Sequence, residues 1–324
     1  MMKEELKNAW FKISVIGNSK QKAISWVKRY RIPNSGIVAQ HKTKIVTPEV
    51  TGYLITSLYN AGEKELAFDL AKWEASIQKT DGSFTAPGSE VAYSFDTAQI
   101  ARGFLSVMDD RPEFEKNLRL ALDYVERYVA SDGEVKTDSY DMWLLEDGST
   151  LSEYGNLYNL PPLLEGGKKL NEPRYIAAAK RGMEYFRRKP DLVEFKPQLS
   201  MLSHYFGYMM EALVDLGEVE LAKKGLEQAQ AIQRPDGSIP AYPGVDWVCA
   251  TGMAQLSIAW YKLGINEPAD KAMAYLEKIQ NPSGGFYGGY GKGVNYFDKK
   301  EIPWSAKFFI DAYLLREKAK KGNH

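Results

Sequence analysis

Three stretches of the chain repeat nearly the same nine residues. They begin at Ser76, Ala231 and Lys278 and read SIQKTDGSF, AIQRPDGSI and KIQNPSGGF. Each holds an apolar residue, a Gln, two spacers, an Asp or Ser, a Gly, a small residue and a second apolar residue. A weaker copy, YVASDGEV, begins at Tyr128. Repetition with a period of about 40–50 residues is typical of one supersecondary unit copied along a chain.

Apolar and amphipathic segments alternate between these repeats. The apolar segments are rich in aromatic and small residues and predict helices buried on all sides, at 48–62, 95–108, 152–164, 202–217, 247–264 and 303–316. The amphipathic segments have apolar stripes with helical spacing and charged outer faces, at 20–31, 64–78, 113–129, 174–188, 219–233 and 268–280. Helix ends are predicted at Gly62, Gly217 and Gly264. Pro48, Pro173 and Pro303 mark helix starts.

Six buried and six amphipathic helices in strict alternation predict an all-α fold, the (α/α)6 toroid, in which an inner ring is wrapped by an outer ring. One such domain would cover residues 1–324, with 1–19 as a peripheral segment. An open superhelical solenoid is the alternative. It would leave an apolar flank exposed, so the uniformly apolar inner segments favour the closed ring.

Charge and cysteine content exclude several classes of function. The 324 residues contain 42 Lys and Arg and 42 Asp and Glu, so no overall basic field exists for a nucleic acid or a membrane surface. Cys249 is the single cysteine, which excludes an internal disulfide and a Cys-rich zinc site. Nothing in the sequence indicates an organic cofactor.

The N-terminal residues 1–17 lack the continuous apolar core and the cleavage site of a signal peptide. No run of about 18 apolar residues occurs. We therefore expect a cytoplasmic protein without membrane insertion, with secretion of a processed form as the alternative.

In an alternating toroid all six inner helices begin at the same end of the ring, so their N-termini line one mouth, where the helix dipoles favour anions. The residues expected there are Glu49, Tyr53, Asp96, Gln99, Glu153, Tyr154, Asn156, His204, Tyr205, Tyr208, Asp246, Trp247, Trp304 and Lys307. Two flanking loops add Tyr242, Tyr287, Tyr290 and Tyr296. Polar groups among broad aromatic faces are typical of a sugar-binding site. The Gly-rich loop 286–296 is expected to be a mobile flap over the mouth.

Several of these residues have simpler explanations. An Asp before Gly normally bonds its own backbone in a turn, which suits Asp81, Asp132 and Asp236. The repeat glutamines, Gln78, Gln233 and Gln280, are expected to tie neighbouring hairpins together. Carboxylates near helix starts, including Glu49, Asp96 and Glu153, can cap N–H groups. His204 can be a core residue, and the acidic stretch 138–147 a solvated loop rather than a calcium contact.

Two toroid families resemble the chain. The Gln-x-x-Asp-Gly-Ser repeats are similar to those of terpenoid cyclases and protein prenyltransferases. The segments TPEVTGY (47–53), FDTAQ (95–99), LSHYFGY (202–208) and EIPWSAKF (301–308) more closely resemble six-hairpin toroid proteins associated with surface-polysaccharide biosynthesis, distant kin of polysaccharide lyases and uronate-processing enzymes. This resemblance extends from about residue 32 to residue 315. It implies the toroid fold and an oligosaccharide or other sugar-containing ligand.

The first functional hypothesis is an enzyme that uses acid/base chemistry on an acidic or amino sugar chain. A lyase or C5-epimerase would abstract a proton with His204 or Tyr205, and Lys307 or a helix N-terminus would stabilise the anion. A hydrolase would use two carboxyl groups, Asp96 and Asp246.

Two further hypotheses are weaker. A terpene cyclase needs an Asp-x-Asp-Asp motif, which Asp109-Asp110 does not supply, and a prenyltransferase needs a zinc thiolate, for which Cys249 is the single candidate. A non-catalytic glycan-binding or scaffold protein would need no perturbed acid. Shifted pKa values at Asp96, Glu153, His204 or Asp246 would therefore favour an enzyme.

Overall fold

The computed structural model describes residues 18–137, 145 and 153–322. Within them lie twelve α-helices: α1 (Ser19–Arg29), α2 (Pro48–Asn60), α3 (Lys64–Ile77), α4 (Ser94–Val107), α5 (Glu115–Arg127), α6 (Leu160–Lys169), α7 (Pro173–Arg187), α8 (Ser203–Asp215), α9 (Val219–Ala231), α10 (Ala250–Lys262), α11 (Asn266–Ile279) and α12 (Pro303–Gly322). Short 3₁₀ segments cover Pro112–Phe114, Glu153–Asn159 and Leu199–Met201. Two short strands, β1 (Val248–Cys249) and β2 (Gly289–Tyr290), pair antiparallel.

The even-numbered helices form a closed inner ring. Each contacts the next in order, and α12 returns to contact α2. The odd-numbered helices lie outside: α3 contacts α2 and α4, and α11 contacts α10 and α12, while α1 packs on α12. This arrangement confirms the all-α (α/α)6 toroid. The α12–α2 contact excludes the open solenoid, whose first and last units do not meet.

Helix bounds agree with the prediction within a few residues, with three exceptions. The third inner segment begins as the 3₁₀ turn Glu153–Asn159 and continues as α6 beyond residue 164, since Pro161 and Pro162 suit the first turn of an α-helix. The fifth begins at Ala250 because the two residues before it pair with β2. The last extends past residue 316 to Gly322.

The repeat glutamines join neighbouring hairpins, as predicted. Gln78 Nε2 donates to the Gly82 carbonyl within its own loop at 3.1 Å and to the Asn117 carbonyl on α5 at 3.0 Å. Gln233 makes the equivalent pair of bonds within its loop and to α11. Gln280 bonds the carbonyl of Ser19 on α1 at 2.9 Å. The last repeat thus closes the outer ring onto the first helix.

The aspartates of these loops form the expected turns. Asp81 Oδ1 accepts hydrogen bonds from the backbone and hydroxyl of Ser83, at 3.0 and 2.7 Å. Asp236 repeats the pattern with Ser238. The glycine that follows each aspartate has a positive φ; a Cβ atom at Gly82 would lie 2.0 Å from the Leu120 carbonyl oxygen. Only glycine fits this position.

None of the helices in the described part of the chain combines the length and apolar character needed to cross a bilayer. The predicted peripheral segment and the acidic stretch 138–147 lie almost entirely outside the described residues.

Candidate functional site

Glu49 lies at the mouth formed by the N-terminal ends of the inner helices. It is in the first turn of α2 and is 8% exposed. Trp304, in the first turn of α12, donates its indole N–H to both carboxylate oxygens of Glu49, at 3.1 and 3.2 Å. The side chain is therefore directed across the seam between the first and last inner helices.

Asp96 is the electrostatic neighbour of Glu49. It is partly buried in the first turn of α4, the inner helix that packs beside α2. Burial raises the pKa of Asp96 to about 7. Burial and the charge of Asp96 raise the pKa of Glu49 to about 8, although the Trp304 hydrogen bond and Lys307 act in the opposite direction. Near neutral pH one carboxyl group of the pair can hold a proton while the other is ionised.

A third carboxyl group, Glu74 on the outer helix α3, lies behind this pair. Its side chain is fully buried, and neither oxygen has a hydrogen-bond partner among the described residues. Burial, and then the charge of Asp96, raise the pKa of Glu74 well above its ordinary value. Glu74 is not among the candidate site residues predicted from the sequence. Its position one turn after Leu70, on the buried stripe of an amphipathic helix, was the available signal.

His204 is held as an uncharged imidazole. It is buried at the start of α8, and its Nδ1 lies 2.6 Å from the amide oxygen of Gln255 on α10. Because that oxygen can only accept, Nδ1 carries the hydrogen and Nε2 keeps its lone pair. Burial lowers the pKa of His204 to about 4 despite the bond to Gln255. Burial raises the pKa of the neighbouring Tyr205 hydroxyl, which disfavours a phenolate base there.

Five aromatic rings fill the ring interior below the mouth. We call Tyr53, Phe95, Tyr158, Tyr208 and Phe308 the aromatic layer. The rings of Tyr53 and Tyr208 stack 6.4 Å apart, and those of Tyr158 and Tyr208 lie 4.7 Å apart. The His204 ring contacts Tyr208 at 4.5 Å from the mouth side. The layer therefore forms the floor of the mouth.

Lys307 belongs to the far side of this floor. Its ammonium nitrogen lies 3.0 Å from Asp311 and 3.6 Å from the centre of the Phe308 ring. The side chain is buried, and it lines a cavity on the side of the layer away from the mouth. Asp311 already balances the charge of Lys307. The structure therefore gives little support to the predicted role of Lys307 as a cation that stabilises an anion in the mouth.

Asp246 does not join the buried carboxyl groups. Its side chain is 99% exposed, with Arg234 at 3.8 Å. Glu153 is likewise solvent-accessible and pairs with Lys189 at 2.9 Å. The structure thus brings Glu49 rather than Asp246 to Asp96, because the loop before β1 leaves Asp246 in solvent.

Gln99 and Asn156 are engaged with the scaffold. The Gln99 amide donates to the Phe95 carbonyl at 3.0 Å and accepts from the Arg102 side chain at 2.9 Å. Asn156 donates to the Val135 carbonyl at 3.2 Å. These contacts give both side chains a structural role.

The Gly-rich loop packs on Trp247. That indole is buried beneath Gly289 and Gly291, and its ring makes an edge contact with Tyr242. Tyr290 donates its hydroxyl hydrogen to the Asn281 side chain at 3.2 Å, which anchors β2 to the loop after α11. Tyr296 is the aromatic residue of this loop that contacts His204, at 6.0 Å between rings. The mobility expected of the flap stays a prediction.

Cys249 is buried beside this loop, and burial raises the pKa of its thiol to about 11. Among the described residues, no three His, Cys, Asp or Glu side chains are arranged to hold a metal ion.

Comparison with solved structures identifies the architecture. An unsaturated glucuronyl hydrolase specific for heparin superposes with a TM-score of 0.72 at 13% identity, over 94% of this chain and 97% of that one. The shared fold is the (α/α)6 toroid. An α-amylase from Clostridium perfringens gives 0.70 at 12% identity, covering 92% and 97% of the two chains. A possible member of the GH105 family from Salmonella enterica gives 0.62 at 11% identity, covering 94% of each.

No protein-family model and no curated protein matches the sequence. The toroid resemblance inferred from the repeats is confirmed at the level of the fold.

Proposed function

We propose that the protein is a glycoside hydrolase that cleaves an acidic or amino sugar chain at the mouth of the toroid. The observation that carries this proposal is the Glu49–Asp96 pair, a buried and a partly buried carboxyl group whose pKa values are both raised toward neutrality. Glycosidases need one carboxylic acid to protonate the leaving oxygen and one carboxylate on the other side of the reaction.

The two carboxyl groups titrate as a pair that can hold a single proton near neutral pH. In our proposal Glu49, at the seam of the ring, uses that proton as the general acid, and Asp96 is the carboxylate. The indole N–H of Trp304 orients the Glu49 carboxyl group. Trp304 and Tyr296 are partly exposed aromatic side chains against which a sugar ring can stack.

Helix N-termini support an acidic substrate. The residues that precede α2, α4 and α8 are Thr47, Tyr93 and Leu202, and none makes a side-chain capping bond. First-turn N–H groups of these helices therefore have no side-chain cap, although the Ser203 N–H donates to the Ala241 carbonyl, and helix N-termini favour a carboxylate. Two of the similar structures are named as an unsaturated glucuronyl hydrolase and an α-amylase. These names support a sugar substrate.

A lyase or epimerase is the second candidate, and His204 favours it. Its Nε2 lone pair could accept the proton next to a uronate carboxylate. Tyr205 is a less suitable base because burial raises its hydroxyl pKa, so that very little phenolate is present near neutral pH. A purely glycan-binding protein has no need of the shifted carboxyl groups. The expected cytoplasmic location remains part of the proposal.

The test is a turnover assay on uronate-containing and hexosamine-containing oligosaccharides. New reducing ends report hydrolysis, and ultraviolet absorbance of an unsaturated uronate reports elimination. We expect reducing ends without new absorbance. Glu49→Gln and Asp96→Asn should each lower turnover at least about 100-fold. Asp109→Asn, a change at the opposite end of α4 where the carboxylate pairs with Lys169, serves as the matched control and should retain activity.

Two outcomes would replace the proposal. Absorbance of an unsaturated product that disappears in His204→Gln would establish the lyase. Saturable binding of an oligosaccharide without any product, in a protein whose carboxyl variants bind equally well, would establish a glycan-binding protein.

A further inference from the structure

A cavity lies at the end of the toroid opposite to Glu49 and Asp96. It has a volume of about 540 Å³ and is bounded by the C-terminal halves of inner helices, including Asn60 of α2 and Lys318 of α12. Tyr53 and Tyr158 of the aromatic layer form its inner wall, which separates it from Glu49 and Asp96. We call it the distal cavity. Its volume is typical of sites for small molecules.

Most charges in the distal cavity already have partners. Asp215 lies 2.6 Å from Lys262 and 3.9 Å from Arg102. Lys307 and Asp311 form the other internal pair, at 3.0 Å. These groups therefore do not need a ligand to balance their charges.

Glu211 is different. It belongs to α8, lies in the cavity wall and is 3% exposed. Its Oε2 accepts a hydrogen bond from the Tyr158 hydroxyl at 3.2 Å, whereas Oε1 has no partner among the described residues. Burial raises the pKa of Glu211 to about 7, although the charges of Lys307, Lys262 and Arg102 act in the opposite direction. In the ionised form Oε1 is a buried acceptor without a donor, so the site favours a ligand that donates a hydrogen bond.

The lining of the distal cavity has four cationic and four acidic side chains, and the helix ends add negative partial charge to this balance. All six inner helices end on this side of the ring, and the C-terminal end of a helix carries a partial negative charge. Apolar side chains complete the wall, among them Leu105, Ile258 and Leu314. A compact cation on a partly apolar body fits this combination of groups.

We propose that the distal cavity binds a small molecule with a primary ammonium group, which donates to Glu211 Oε1 while the rest of the ligand packs against Leu105 and Ile258. An ammonium group supplies three hydrogen-bond donors and no acceptor, which matches an acceptor without a partner. The site is independent of the proposed glycosidase activity, because no residue of the Glu49–Asp96 pair lines it. An aliphatic amine and an amino sugar share this chemistry.

The test is isothermal titration calorimetry of the full chain at neutral pH and low salt. The probes are glucosamine, 1,5-diaminopentane and, as the uncharged control, glucose. At least one amine should bind saturably, and at least about tenfold more tightly than glucose, a difference typical of losing a charged hydrogen bond. Binding of glucosamine alone identifies an amino-sugar site, and binding of diaminopentane alone identifies an alkylamine site.

Variants locate the bound amine. Glu211→Gln should weaken amine binding at least about tenfold. Glu165→Gln makes the same chemical change at the exposed rim of the cavity and should alter affinity less than about twofold, because exposed charges are screened. Asp96→Asn at the mouth should leave amine binding unchanged, even if it abolishes turnover.

Three results would overturn the proposal: no saturable binding of either amine, equal binding of glucose and glucosamine, or wild-type affinity in folded Glu211→Gln. If that variant does not fold, Ser106→Phe tests the same site by filling the cavity from the C-terminal end of α4. Amine affinity that persists in folded Ser106→Phe would likewise place the ligand elsewhere.

Discussion

Trp304 and Glu49 join the last inner helix to the first: the indole N–H donates to both carboxylate oxygens across the seam where the ring closes. The two residues are 255 positions apart in the chain. The candidate acid is therefore oriented only when α12 has docked on α2. Site geometry and ring closure depend on the same contact.

The carboxyl pair predicts the pH dependence of the proposed hydrolase. Activity needs a single proton on the pair, so kcat/KM should fall below about pH 7 as the pair takes up a second proton. It should also fall above about pH 8 as the pair loses its remaining proton. The measurement is kcat/KM from pH 5 to pH 9. An optimum near pH 5 would contradict the assignment, because ordinary carboxyl pKa values give that result.

Trp304→Phe should move the alkaline limb of this profile to higher pH. The indole hydrogen bond favours the ionised form of Glu49, so its removal raises the pKa of Glu49 further. A shift of at least about half a pH unit is expected for loss of a hydrogen bond to a charged group. Trp260→Phe is the control, a buried inner-ring indole on α10 that makes no contact with Glu49, and it should leave the limb in place.

Glu74→Met should stabilise the protein. The buried carboxyl group has no hydrogen-bond partner among the described residues, and its replacement by an apolar side chain of similar length removes a cost of about 1–3 kcal/mol. The gain in the free energy of unfolding, relative to wild type, should grow as pH rises from 5 to 8. Over that range the unfolded chain releases the Glu74 proton while the folded chain retains it, because the folded pKa is raised.

Urea unfolding at several pH values measures this effect. Glu65→Met, an exposed change on the same helix, should alter the free energy of unfolding by less than about 0.5 kcal/mol. A Glu74→Met protein that is less stable than wild type at pH 8 would show that the carboxylate has a partner.

Alanine substitutions at two glycines distinguish the cost of a strained backbone conformation from the cost of a steric clash. Gly62 and Gly82 have nearly the same positive φ, 89° and 93°, but an added Cβ meets nothing at Gly62 and the Leu120 carbonyl oxygen at Gly82. Gly62→Ala should therefore cost about 1–2 kcal/mol for the left-handed conformation alone. Gly82→Ala should cost at least about 3 kcal/mol or prevent folding. Equal losses in urea unfolding would show that the repeat loop can move away from α5.

The fold could be predicted because the signals are local. Turn glycines, helix-starting prolines and uniformly apolar inner segments each reflect the backbone at their own position. The start of α10 could not be found in this way, because Val248 pairs with Tyr290 of a loop some forty residues later.

The candidate site was only partly predictable. Glu49 and Asp96 were both identified as mouth residues, but the sequence holds no measure of the distance between neighbouring helices. The sequence-based hypothesis therefore paired Asp96 with Asp246, whose side chain the loop before β1 leaves in solvent. Glu211 was missed because a single acid within an apolar helix indicates burial without showing which cavity it faces.

Closure by Gln280 and Ser19 also bears on how the molecule comes apart. A linear array of repeats frays, since its outermost unit is held on one side only. In this ring every hairpin has a neighbour on both sides, so detaching any one of them ruptures two interfaces at once. An opening of the ring between α12 and α2 would also break the hydrogen bonds from Trp304 to Glu49.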